Sequence, residues 1–235
     1  MLTLTKRLQT VADLVPKGCS FADIGTDHAY LPVWLLQNGV ISSAIAGDIR
    51  QGPLERARAT ARRYGCTDQM DFRLSDGLKA LSPHEADCIA IAGMGGEAIC
   101  AILSAAPWTK RGVRLILQPQ TNLPQLRRWL TAEGYRICQE RCLFEEGHWY
   151  SVFLVSGGQD DTVWTPGSAL AGCPDRWYPQ VQRPDYLRFL IDRTKRELSG
   201  LQKAAAPDQA RIYHLEEAVQ ELSILMTELE KEDVQ

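Results

Sequence analysis

The stretch Phe21-Ala22-Asp23-Ile24-Gly25-Thr26-Asp27-His28-Ala29-Tyr30-Leu31 constrains the fold more than any other. It reads as a short buried strand (Phe21 to Ile24), a glycine turn, and a helix from Ala29 onward. That order is the unit of open α/β sheets, whose ligands sit beyond the carboxyl ends of the strands. Gly25 has no Cβ, so the turn can be tight and a ligand can approach the backbone closely. A dinucleotide fingerprint would place a second glycine where Asp27 stands, and a carboxylate there repels a pyrophosphate. Asp23 and Asp27 suit a cationic ligand instead. S-adenosylmethionine carries both a sulfonium and an ammonium, so the stretch points to a methyltransferase.

The rest of the first 157 residues repeats the same unit. Leu4, Leu8, Val11, Ala12 and Val15 share a helical face, with Thr3 or Thr5 as its cap. The helix after the glycine turn closes at Asn38-Gly39, and a second strand follows at Ala44 to Asp48. Asp48 lies 23 residues beyond Gly25, the offset of the carboxylate that grips ribose hydroxyls in nucleotide-binding folds. The competing role for Asp48 is to cap the next helix, Leu54 to Tyr64, which Pro53 opens and Gly65 stops. Met70, Phe72 and Leu74 alternate as a third strand before Ser75-Asp76-Gly77. There Asp76 and Gly77 either meet the cofactor adenine or form an ordinary turn. A fourth strand (86–92) runs into Gly93-Met94-Gly95-Gly96, and a fifth (113–117) ends at Gln118-Pro119. Tyr135 to Leu143 and Tyr150 to Val155, joined through Glu145-Glu146-Gly147, form a hairpin. Five β-then-α units closed by a hairpin predict an α/β, class I (Rossmann-like) methyltransferase sheet of seven strands, the last antiparallel.

Beyond the sheet, residues 158–182 read as a linker with packed aromatics, Trp164, Trp177 and Tyr178. Apolar residues then recur at three and four over 185–203 and 208–232, with Pro207-Asp208 between. This predicts a C-terminal α-helical hairpin of coiled-coil type over 183–235. Net charge is −3, but the two parts differ. Residues 1–157 carry 17 basic and 15 acidic side chains; residues 158–235 carry 9 and 14. Phosphate binding needs only a local basic patch, so the overall charge does not exclude nucleic acid. Arg188, Arg193, Lys195 and Arg196 on the first helix are candidates to grip RNA, or simply a solvated face. Lys110, Arg111, Arg114, Arg127 and Arg128 are further candidates near the sheet edge.

Seven cysteines without a CxxC pair read as reduced thiols, and no metal site is expected. No apolar run approaches the length of a membrane span, and MLTLTKRLQTVADL has no secretory core, so a cytoplasmic location is expected.

Asp23 to Pro32, Ile91-Ala92-Gly93-Met94-Gly95-Gly96, and Gln118-Pro119 together resemble the bacterial TrmK family, and the similarity spans the chain. The resemblance implies a methyl group passed from S-adenosylmethionine to N1 of adenine 22 in the D-arm of tRNA, with tRNA as partner. On that reading Asp23, Gly25 and Asp27 line the methionine end, Asp27 having a helix N-cap as its alternative role. Gly93, Met94 and Gly95 would receive the target base through backbone groups, or serve only as turn glycines. His28 takes the N6 proton or makes a structural hydrogen bond; Tyr30 stacks on base or cofactor, or packs in the core. The sequence departs from the family at Gln120, where Asn is frequent. Monomer and homodimer stay open, and no obligate protein partner is evident. The rival readings are a methyltransferase of a small molecule or protein, and a non-catalytic RNA-binding module.

Overall fold

The computed structural model describes residues 1–177 and 183–232, so Tyr178 lies outside the described residues. The chain opens with α1 (Lys6–Ala12), capped by Thr5, whose hydroxyl accepts from the Leu8 N–H. Then come β1 (Phe21–Ile24), α2 (Tyr30–Gln37), β2 (Ala44–Asp48), α3 (Gln51–Tyr64) and β3 (Met70–Leu74). After these follow β4 (Cys88–Gly95), α4 (Gly96–Ser104), β5 (Arg114–Thr121) and α5 (Leu123–Ala132). The hairpin is β6 (Tyr135–Glu145) and β7 (His148–Gly157), turned by Glu146 and Gly147, both at positive φ. Three helices complete the chain: α6 (Pro166–Ala171), α7 (Arg183–Gln202) and α8 (Gln209–Glu232).

The strands form one sheet in the order β3-β2-β1-β4-β5-β7-β6. Strands β1 to β5 pair in parallel, and β7 inserts antiparallel between β5 and β6. This is the expected seven-stranded arrangement. It buries apolar residues on both faces. One layer joins Val11, Leu35, Leu54 and Ala57 to Phe21, Ala46 and Ala90. The other joins Ile99, Leu103, Leu126 and Leu130 to Ala22, Ile89, Ile91 and Leu115. A sheet covered by helices on both sides explains why β1 and the first half of β4 are buried at every position, Asp23 included.

Two expectations are corrected. Only four of the five units carry a helix, because the connection from β3 to β4 runs through turns. Ser75-Asp76-Gly77 starts that connection and Pro83-His84 sits inside it, and neither favours helix. The glycine stretch after the fourth strand is also not a free loop. Met94 and Gly95 stay paired with Pro119 and Thr121 of β5 across register shifts, so both strands run several residues past their predicted ends. Glycines that read as a turn here supply a bulge.

The linker is docked rather than loose. Trp164 donates its indole N–H to Thr131 on α5 at 2.8 Å, and Trp177 packs with Trp149 and Tyr186. Thr165 caps α6, and the Glu221 carboxylate of α8 accepts from the Thr165 hydroxyl and the Gly167 N–H. The two long helices pack as an antiparallel pair through Leu187, Leu190, Leu222 and Met226. Arg127, a phosphate candidate from the sequence, turns out to be fully buried. Its guanidinium pairs with Glu140 of β6 at 2.7 Å and donates to the carbonyls of Ala169 (2.7 Å) and Leu170 (3.1 Å). Gly172 has no room for a side chain, since an added Cβ would lie within 2.9 Å of the Glu140 carboxylate atoms. The ion pair therefore holds β6, α5 and the end of α6 at one point.

Removing one partner of a buried pair strands the other charge. Arg127→Met should cost about 3–5 kcal/mol in denaturant unfolding, and adding Glu140→Met should recover a large part of it.

Candidate active site

At the carboxyl ends of β1 to β4 lies a cleft of about 660 Å³. Its first wall is the turn after β1. The N–H groups of Gly25 and Thr26 both donate to the Gly47 carbonyl, at 2.8 and 3.0 Å, which draws β1 and β2 together at their ends. Gly25 has φ +76°, a backbone conformation that favours glycine, and an added Cβ would push the Met94 methyl group aside. Asp27 and Ala29 also take left-handed φ values, 47° and 55°, a strained path that swings the chain into α2. Ala29, not Asp27, occupies the N-cap of α2, and no side chain caps it. Asp27 faces the cleft instead, with its carboxylate 2.5 Å from Arg56 and 3.6 Å from His28.

Asp48 ends β2 on the same wall and is nearly buried. Its carboxylate accepts from the Arg50 N–H at 3.0 Å and more weakly from the Asp27 N–H at 3.4 Å. Arg50 holds the N-cap of α3, so Asp48 is not that helix's cap. Ile49 beside it is an isoleucine left 62% exposed within the cleft, an apolar surface without a protein partner to cover it. Asp76 and Gly77 form the next rim, where Asp76 pairs with Lys79. Ile102 of α4 lies 2.9 Å from where a Gly77 Cβ would stand, and the left-handed φ of +59° favours glycine here too. Ala98, Ala101 and Ala105, at i, i+3 and i+7 of α4 and its C-cap, form the floor. Small side chains there leave a flat apolar slot. Sequence reasoning missed these alanines; their helical spacing was the available signal.

Asp23 lies behind the turn, fully buried, and accepts the Thr26 hydroxyl proton at 2.6 Å. Burial pushes its carboxyl up to about 6, the Asp48 charge adds to the rise, and the Thr26 bond opposes it.

Gly93 and Met94 line the cleft beside the Gly25 turn, with Gly95 just beyond it against Thr121. Their support comes from Gln118, a fully buried carboxamide within β5. It accepts from the Gly93 N–H at 3.0 Å and from Arg7 at 2.7 Å, and donates to the Pro119 carbonyl at 3.0 Å. Arg7 comes from α1 and also sits over the Tyr150 ring. Neither Gln118 in this positioning role nor Arg7 was identified from sequence, because the partners are 25 and 111 residues apart. Gln120, by contrast, is exposed, and its amide lies 3.8 Å from the place of a Gly93 Cβ.

The structure thus gathers Gly25, Asp27, Asp48, Asp76, Gly77, Gly93 and Met94 around one cleft, with Asp23 beneath. Tyr30 is not brought there. It stacks on His28 at 5.2 Å and lines a separate groove with Leu4, Leu8 and Tyr64. His28 touches the site only through Asp27. Lys110, Arg111 and Arg114 sit before or at the start of β5, the opposite edge of a parallel sheet from the cleft.

The raised Asp23 carboxyl means that the folded chain holds this proton more tightly than the unfolded one. Its ordinary value is 3.8, so folding stability should fall as pH rises from about 4 to about 6. Asp23→Asn keeps the hydroxyl bond and removes that penalty. The stability difference between variant and wild type, read by unfolding at a series of pH values, should grow over this window to about 3 kcal/mol and then level off.

Residues 4–153 match the methyltransferase domain family. The chain is 42% identical over 172 residues to the tRNA (adenine(22)-N(1))-methyltransferase of Bacillus subtilis, covering 73% of this chain and 72% of that protein. Its fold superposes on the crystal structure of the B. subtilis M1A22 tRNA methyltransferase TrmK with a TM-score of 0.83, at 33% identity, over 96% of this chain and 100% of that one. Streptococcus pneumoniae Sp1610, a putative tRNA (m1A22) methyltransferase solved in complex with S-adenosyl-L-methionine, superposes at 0.80 with 31% identity, over 94% and 99% of the two chains. The chain belongs to the tRNA (adenine(22)-N(1))-methyltransferase family.

Proposed function

We propose that this chain transfers a methyl group from S-adenosylmethionine to N1 of adenine 22 in the D-arm of tRNA, giving 1-methyladenosine and S-adenosylhomocysteine. The observation that carries the reading is the cleft itself: Asp27, Asp48 and Asp76 along its walls, a flat apolar floor of alanines, and Gly93 and Met94 beside the Gly25 turn. A cofactor with a ribose, an adenine and two positive groups matches that series.

Asp48 takes the ribose hydroxyls, with the backbone N–H of Arg50 fixing the orientation of its carboxylate. The cofactor adenine lies between Ile49 and the alanines of α4, its amino group toward Asp76. The methionine end faces the Gly25 turn, where Asp27 and the buried Asp23 meet its ammonium. Binding a cation there favours the ionised form of Asp23 and draws off the proton that burial retains.

The target N1 is a neutral lone pair, so no base is needed before attack. N1 attacks the methyl carbon in line as the C–S bond breaks; its electron pair goes to sulfur, S-adenosylhomocysteine leaves, and the positive charge passes to the base. The rate then comes from alignment in a site that excludes water. Gly93 and Met94 supply a surface on which a flat base can lie close to the chain. Gln118 holds that surface from a buried position, its oxygen taken by Gly93 and Arg7, so it acts as a positioning residue. Gln120 is the exposed carboxamide beside Gly93, and the N6/N7 edge of adenine is the pattern a glutamine side chain reads bidentately. N1 stays free for the methyl group. Methylation acidifies N6, and backbone carbonyls of the glycine stretch accept its hydrogen bond. A tRNA substrate supports the expected cytoplasmic location.

Methyl transfer from labelled S-adenosylmethionine to an unmodified tRNA transcript, with nucleoside analysis of the product, tests the reading. Label should appear as 1-methyladenosine and vanish when adenine 22 is replaced by guanine. Label in another nucleoside, or none despite cofactor binding, would overturn it.

A further inference from the structure

A second groove, of about 420 Å³, runs between the β5–α5 junction and the inner side of the C-terminal helices. Arg128 of α5, Arg193 of α7, and Arg211 and His214 of α8 line it, with Glu197 as its acid. Glu197 is already paired with Arg211 at 2.6 Å. Arg193 has no ion pair among the described residues, and Arg128 makes only a long contact with the Thr165 carbonyl, at 3.4 Å. Unneutralised arginines inside a concave wall concentrate positive potential more than the same residues on a convex surface. The groove borders the active site at one side chain. Gln120 lines it, and the Gln120 amide lies beside Gly93 of the cofactor cleft.

The four basic residues of α7 singled out in the sequence do not act as one patch. At about 100° per residue, Tyr186, Leu190, Arg193, Thr194 and Glu197 share the face that lines the groove. Arg188 and Lys195 fall on the opposite face, and Arg196 lies to the side. Arg188 is further engaged by Asp185 at 2.8 Å and Glu230 at 3.8 Å. The sequence expectation of a single RNA-gripping cluster is therefore divided by the helix.

We infer that this groove is a binding site for the sugar-phosphate backbone of the RNA strand adjoining the target adenine, with Arg128 and Arg193 as its phosphate ligands. The inference rests on the proposed tRNA substrate. A strand leaving the methyl-transfer mouth at Gln120 enters the groove directly. Guanidinium groups match phosphate oxygens in a paired, planar geometry, and nothing else in the groove competes for these two. The outer face of α7 stays in solvent.

Two double variants remove equal charge from the two faces: Arg128→Gln/Arg193→Gln in the groove, and Arg188→Gln/Lys195→Gln outside. Affinity for an unmodified tRNA transcript is measured across a salt series, with S-adenosylmethionine affinity as the check on folding. The groove variant should bind tRNA at least tenfold more weakly and lose about 2 from the slope of log affinity against log salt, one per phosphate contact. Its cofactor affinity should be unchanged, and the outer variant should lose less than threefold. Wild-type transfer to adenine 22 with an unaffected groove variant, or a larger loss in the outer variant, would overturn the groove alone. A wild-type chain that neither binds nor methylates tRNA would overturn the substrate reading and the groove with it.

Discussion

A buried guanidinium holds the molecule in its working shape. Arg127 has no exposure to water, and an ion taken from water costs several kcal/mol unless it is paired and hydrogen-bonded. Glu140 and two carbonyls satisfy it, and they come from β6 and from the end of α6. Each partner is needed by the others, so the segment after the sheet cannot drift away without stranding a charge. The consequence is positional. Helix α8 is clamped to α6 through Glu221, α7 packs on α8, and the inner side of that pair comes to face α5. Without the ion pair there would be a methyltransferase sheet and a helical hairpin, but no defined groove between them.

Within the sheet the governing constraint is steric. Two positions at the ends of the strands favour glycine by their left-handed backbone: Gly25, φ +76°, under the Met94 methyl group, and Gly77, φ +59°, under Ile102. These contacts bring β4 and α4 over the turns that follow β1 and β3, closing a cleft whose charged end is acidic. One acid, Asp27, is partly neutralised by Arg56, while Asp48 is held by backbone N–H groups and Asp23 is buried. In the proposed reading the two less exposed acids direct the cofactor, whose positive groups offset their charge.

Much of this was legible in the chain. The strand, Gly25 and helix unit, the acid at Asp48, the hairpin at Glu146-Gly147 and both long helices follow from local periodicity and turn chemistry. What escaped depends on contacts distant in sequence. An Arg-Arg pair on an amphipathic helix reads as solvated, and only the partners of Arg127, 13 and 42 residues away, make it a core residue. Gly93 to Gly96 read as a turn because glycine is permissive, yet pairing with β5 keeps most of that stretch in the strand. Tyr30 looked able to stack on a ligand, but the strained path through Asp27 and Ala29 turns it to another groove. The basic residues of α7 looked like one cluster because sequence proximity hides the face each occupies.

The central claim is that one cleft, bounded by the ends of β1, β2 and β4, is where methyl transfer occurs. A crystal structure of the chain with S-adenosylhomocysteine tests it directly. The account predicts ribose hydroxyls on Asp48, adenine against Ile49 and the alanines of α4, and the sulfur atom toward Gly93 and Met94. The product bound elsewhere, or in this cleft with its ribose away from Asp48, would contradict it.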